Sequence, residues 1–194
     1  MTPETADPAR VFRKLARANA LANRRLHRAC LLLNPGEFEA PRIGFFPSLK
    51  ATLNHILVID RFYIDAMMGG TLGPKAWEDE EPCATIAALA AGQAKSDRLL
   101  LDLASGLTPA RLGETVRIHR RDRVQEERMD DVLSHLFQHQ THHRGQAHAM
   151  LSGSSVRPPQ LDEFIVADDA GARREEMAAL GWSESDLEFS GARA

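Results

Sequence analysis

The sequence predicts a mainly α-helical protein built on four long helices, and three observations carry that expectation. Alanine, leucine, arginine and glutamate dominate while aromatic residues make up only 6%, a balance that favours helix over strand. Apolar residues recur at helical spacing over four long stretches. Segments rich in glycine and proline separate those stretches, so the helices have stop signals. With 194 residues, 43% of them hydrophobic, the chain can bury one substantial core, and a single domain spanning 1–194 is expected.

The first helix is expected to begin after Asp7-Pro8, where aspartate can cap free N–H groups and proline suits the first helical position. It should reach about Leu33, before Asn34-Pro35-Gly36. Residues 35–47 read as a loop, with prolines at 35, 41 and 47 and glycines at 36 and 44. Phe45 and Phe46 should fold back over the domain, since leaving both rings in water is costly. Ser48 is a good N-cap for a second helix running to about Met68, where Gly69-Gly70 ends it. Being apolar nearly all round between 53 and 67, this helix should pack on more than one side. Residues 69–82 read as a connection, and a third helix follows from Ala84 to about Ser105. Within 106–128, Leu107-Thr108-Pro109-Ala110-Arg111 can start a short helix and Thr115-Val116-Arg117-Ile118 a brief extended piece. Arg117, Arg120, Arg121 and Arg123 are balanced by Asp122, Glu126 and Glu127, as on a solvated surface. The fourth long helix spans about Met129 to Ser152. A shorter one, Asp168 to Leu180, precedes Gly181 and a polar tail from near Ser183.

Several classes of function are disfavoured at once. A formal net charge of −3 gives no electrostatic reason to bind nucleic acid or an anionic membrane. The two cysteines, Cys30 and Cys83, form neither a C-x-x-C pair nor a zinc spacing, which suits a reduced compartment. Residues 1–7 lack the basic and apolar segments of a signal peptide, and no apolar run is long enough to span a bilayer, so a soluble cytoplasmic protein is expected.

The histidines carry the chemistry. At about 100° per residue, Val132, Leu136, His139, His143, Ala147 and Met150 share one stripe of the fourth helix, so two imidazoles replace hydrophobes in the seam. Buried side by side, two neutral imidazoles lose solvation unless their lone pairs meet a donor or a cation, and one shared metal satisfies both. A third ligand should come from a facing helix, and His55 is the histidine embedded in the apolar part of another long helix. His135 and His142, near the polar edge of the same face, suit supporting roles, and Gln146 suits a polar lining of the pocket. His27, His119 and His148 read as surface or structural. Asp60 lies roughly 140° from His55 around its helix, which favours an interhelical role over catalysis. Arg144 is suited to an acidic partner between helices or to substrate, and Gly145 to close helix packing. No catalytic residue is assigned. A carboxylate-bridged di-iron bundle needs Glu-x-x-His pairs, and the chain has none.

Two stretches, Phe45-Phe46-Pro47-Ser48 through Thr52-Leu53-Asn54-His55-Ile56-Leu57-Val58-Ile59-Asp60-Arg61 and His135-Leu136-Phe137-Gln138-His139-Gln140-Thr141-His142-His143-Arg144-Gly145-Gln146, resemble the two signature regions of the DinB family. Pro158-Pro159-Gln160-Leu161-Asp162 is similar to the segment that trails the second. The resemblance covers about residues 8–165 and leaves a C-terminal extension of about 166–194, which suits covering an edge or self-association. It implies an all-α, four-helix bundle of the DinB/YfiT-like type with a long crossover, here with an additional short C-terminal helix. It also implies a divalent metal, zinc or nickel, on His55, His139 and His143, and a homodimer. Gln138 departs from the asparagine common in relatives, next to a ligand position. The name denotes a damage-inducible bundle protein and not the unrelated DNA polymerase.

Three neutral ligands leave a coordination position open, as in catalytic metal sites. A metal there can polarise a water or bind a thiolate. The resemblance implies metal-assisted hydrolysis or thiol S-transfer on a small molecule, the latter with a low-molecular-weight thiol as partner; the alternative class is a non-catalytic stress-response or interaction protein that binds metal.

Overall fold

Capping side chains set where several helices begin. The computed structural model describes residues 7–187. The Asp7 carboxylate accepts from the Ala9 N–H at 3.0 Å, and α1 runs Ala9–Cys30. Ser48 accepts from the Ala51 N–H at 3.1 Å at the head of α2, Leu49–Met67. Thr85 does the same for Ala88 in α3, Ile86–Ser105, and Thr108 for Arg111 in the one-turn α4, Pro109–Leu112. Each such bond satisfies an N–H that the helix itself leaves open. A hairpin follows, β1 Thr115–His119 and β2 Val124–Arg128, paired antiparallel with Val116 opposite Glu127. It leads directly into α5, Met129–Leu151, whose first turn carries Asp130 and Asp131 at the positive end of the helix dipole. The last helix is α6, Arg174–Leu180.

The four long helices pack as a ring in the order α1, α3, α2, α5, each touching two neighbours. The α1–α2 connection and the α3–α5 connection therefore cross diagonals, and the second, carrying α4 and the hairpin, is the long crossover. This is the all-α four-helix bundle the sequence predicts, with its short C-terminal helix. Phe62, Leu100, Leu133 and Leu136 anchor one part of the core, Leu26, Leu49, Leu57, Leu89 and Leu151 a second, and Leu21, Phe164, Met177 and Leu187 a third. Every such side chain contributes about 1.5–3 kcal/mol when taken out of water. The all-round apolar character of α2 is used fully: it touches α3, α5, β1 and the 3₁₀ turn Gly73–Trp77.

The C-terminal segment covers an edge of α1. Arg25 grips Glu176 with two nitrogens at 2.9 and 2.8 Å, bonds Glu163 at 2.8 Å and lies over the Phe164 ring. Arg173, fully buried, pairs with Glu184.

Some boundaries differ from the sequence-based expectation. α1 stops at Cys30, three residues early, because Leu32 and Leu33 turn back onto the carbonyls of Ala29 and Cys30. The helix expected over 168–180 is two pieces, the 3₁₀ turn Ala167–Gly171 and α6, parted where Arg173 is drawn inward. Gly181 then ends α6 in a left-handed conformation, φ +68°, as glycine there allows. The expected polar tail begins instead with a turn, Glu184–Leu187, that buries Leu187; the rest of the tail, like the reading of residues 1–6, lies outside the described residues. Of the two phenylalanines, Phe46 folds back but Phe45 stays 79% exposed.

No described helix is long and apolar enough to cross a membrane.

Candidate metal centre

The pairing of α2 with α5 brings three imidazoles together. His139 and His143 stand one turn apart on α5, with ring centroids 4.4 Å apart, and His55 faces both from α2, at 5.0 and 4.7 Å. The Nε2 atoms of His55 and His139 are 3.0 Å apart. One ligand nitrogen from each ring lies within 4.8 Å of the other two, so the three could hold a metal ion. Zinc–nitrogen bonds of roughly 2.0–2.1 Å place tetrahedral ligands about 3.3 Å from one another, a spacing that small ring rotations reach from here.

Electrostatics keep these rings neutral. Burial pushes His55 down to about 4, with His143 adding to it. His139 falls to about 3, again chiefly by burial, then by the neighbouring histidines. His143 is also lowered by burial, against a hydrogen bond to Gln146. Neutral imidazoles have free lone pairs, which is the state a cation needs. Two Nε2 atoms at 3.0 Å cannot both keep lone pairs facing each other without a shared proton or cation between them.

Gln146 is the main support. Its Oε1 lies 2.8 Å from His143 Nδ1, so that nitrogen donates and Nε2 is left to face the cluster. The Gln146 amide nitrogen lies 3.0 Å from Nε2 of the exposed His142, so His142 touches the cluster through Gln146. His135 is farther away, its ring 6.3 Å from that of His139 and 5.1 Å from Tyr63. His139 Nδ1 is buried without a hydrogen-bond partner among the described residues. Phe46 covers the group from the 31–48 connection, its ring 4.5 Å from His55 and 5.6 Å from His143.

A cleft of about 330 Å³ opens beside His55, walled by Phe46, Val58, Ile59 and Trp77 with Glu80 and Glu81. Glu81 is engaged by Lys50 at 3.0 Å. Sequence reading did not single out Trp77, although a lone indole in a Gly/Pro-rich connection is a signal.

Behind the histidines lies a buried polar network, of which sequence reading places only Asp60 and Arg144 between helices. Gln93 donates to Asp60 at 2.6 Å and to Asp97 at 3.1 Å, and Asn23 donates to Asp97 at 2.8 Å. Arg144 donates to Asn19, and to Asn23 and Gln140 at 3.1 Å each. Asp60 thus has the interhelical role its angle favoured, and Arg144 sits between helices. Burial, then repulsion from Asp97, pushes the Asp60 carboxyl up to about 8, and burial pushes Asp97 up to about 6. The signal was present as i,i+4 polar pairs, Asn19/Asn23, Gln93/Asp97 and Gln140/Arg144, within helices. Gly145 does not serve close packing: a Cβ there would meet nothing within 4 Å.

The sequence profile of the DinB family matches residues 3–176. The chain belongs to the DinB family. Among solved structures, the crystal structure of a DinB-like protein from Bacillus cereus superposes with a TM-score of 0.55 at 16% identity, covering 73% of this chain and 91% of that one. That likeness supports the DinB-like fold. No curated protein sequence matches the chain.

Proposed function

We propose that His55, His139 and His143 hold one divalent cation, zinc or nickel, in a metal-dependent enzyme of the hydrolase or thiol S-transferase type. The observation that carries this reading is the convergence of three neutral imidazoles from two helices at the edge of a cleft. When bound, such a cation would supply Lewis-acid polarisation of a water or a thiol. Gln146 fixes the orientation of His143, and Phe46 shields one side of the cluster from water. The apolar wall of Val58, Ile59 and Trp77 offers a small-molecule substrate a place to bind beside His55. Cys30 is buried and its thiol pushed up to about 12 by burial, and Cys83 is buried as well. A thiol reactant would therefore come from outside, as a low-molecular-weight thiol. A single domain, a homodimer and a cytoplasmic location complete the reading.

One observation favours a second reading, a non-catalytic, damage-inducible stress-response or interaction protein that binds metal. Among the described residues no carboxylate joins the three imidazoles to act as a general base. The two readings separate in one experiment. Protein loaded with zinc or nickel, chelated protein and His139→Ala are assayed for ester or amide hydrolysis and for transfer of a small thiol to an electrophile. Turnover that requires both the metal and His139 supports the enzyme. If metal removal alters only stability or self-association across those assays, the second reading replaces it.

A further inference from the structure

The geometry points to a second binding site, for a small organic anion with an apolar body, in the cleft between α1, α3 and the end of α6. The cleft encloses about 410 Å³, inside the range of roughly 300–1,000 Å³ usual for small-molecule sites. None of its lining residues belongs to α2 or α5, which carry the histidines, so it is separate from the metal centre and does not rest on that function.

Its polar groups are mismatched with their surroundings. Arg24 lines the cleft with a buried Nε that has no hydrogen-bond partner, and its guanidinium has no carboxylate partner among the described residues. Arg98, exposed at the mouth, is likewise unpaired among them. Arg28 differs, being paired with Glu175 at the rim. His27 is 6% exposed, and its ring makes no hydrogen bond with any described residue. Burial and the Arg144 charge push that imidazole down to about 4, so at neutral pH it offers one N–H donor without adding a charge. The cleft's carboxylate, Asp97, has its Oδ1 taken up by Asn23 and Gln93. Asp97 keeps its negative charge but is only 7% exposed, so with Arg24 and Arg98 both lacking a carboxylate partner among the described residues the lining carries an excess of positive charge.

A partly buried guanidinium without a counter-charge is costly, and an anionic ligand relieves that cost through charge-assisted hydrogen bonds. The other walls, Leu31, Leu101, Leu180 and Trp182, offer apolar and aromatic surface. The occupant that satisfies both halves is a carboxylate joined to an aliphatic or aromatic group. The carboxylate meets Arg24 and Arg98, and the body lies against Trp182.

The full-length chain carrying Trp77→Phe keeps Trp182 as its one indole. Titrating it with 4-phenylbutyrate, followed by emission and by calorimetry, should give saturable one-to-one binding. The uncharged 4-phenylbutyramide should bind about tenfold or more weakly, the loss expected for a charge-assisted bond. Arg24→Gln should weaken the acid by a similar factor. Ala94→Phe, at an exposed position of α3 that lines the cleft, should fill the space and remove binding while circular dichroism stays unchanged. The proposal is overturned if the acid does not saturate, if acid and amide bind equally, or if folded Ala94→Phe binds the acid as before.

Discussion

Replacing Asp60 by asparagine tests the electrostatics of the buried network directly. Asp60 is 1% exposed, takes a hydrogen bond from Gln93 at 2.6 Å through Oδ2, and its Oδ1 has no partner among the described residues. Burial and then Asp97 push its carboxyl from 3.8 up to about 8. Between those values the unfolded chain has released this proton while the native state keeps it. Stability contributed by the group is therefore full below the unfolded value and falls as pH rises through the window, levelling above about 8. A shift of about four units at about 1.36 kcal/mol each sets a ceiling on the order of 5 kcal/mol for that loss. Asparagine keeps an acceptor for Gln93 and carries no charge. Urea unfolding of chelated wild type and Asp60→Asn from pH 5 to 9 should give curves that lie close at pH 5 and diverge in favour of the variant by several kcal/mol at pH 9. Parallel curves would refute the reasoning. Asp97, raised to about 6, should add a slope of the same sign over the narrower window below that pH in both proteins.

Three further outcomes follow from single contacts. Gln146→Leu removes the acceptor at His143 Nδ1 and should weaken zinc binding, measured by competition with a chelator, by about 10- to 100-fold with helicity unchanged. Gly145→Ala should stabilise the protein by up to about 1 kcal/mol in thermal unfolding, because the added methyl meets no atom within 4 Å and alanine is the better helix former; a loss would show that something packs there. Metal binding should persist at pH 5, below the ordinary histidine value of 6.5, since His55 and His139 are pushed down to about 4 and about 3 and compete weakly for protons. Dialysis at stepped pH with metal analysis checks it, and release near 6.5 would contradict it.

The histidine cluster was legible because it is local and periodic. His139 and His143 interrupt an apolar stripe one turn apart, and His55 lies in the apolar part of the helix that packs against them. The starts of the first two long helices were legible for the same reason, since Asp7 and Ser48 act within three residues of themselves, whereas the third helix, expected from Ala84, begins at Ile86 behind its cap Thr85. What escaped depends on distance along the chain. Asn23 and Asp97 look like surface residues until α1 and α3 are packed, and Arg25 looks solvated until Glu163 and Glu176 return to it. The second strand, Val124–Arg128, has charged side chains and no apolar alternation, so only its pairing with Thr115–His119 reveals it. Phe46 and Phe45 are adjacent with the same preference for burial, and only the path of the 31–48 connection decides that Phe46 meets the histidines.

The central claim is that the three histidines form one metal site. Elemental mass spectrometry on protein purified without an affinity tag, comparing wild type with His55→Ala, His139→Ala and His143→Ala, tests it most directly. Near-stoichiometric zinc or nickel in the wild type, lost in each of the three variants, is the expected result. A wild type that stays metal-free after reconstitution with zinc, nickel, iron and manganese, or variants that keep their metal, would contradict it.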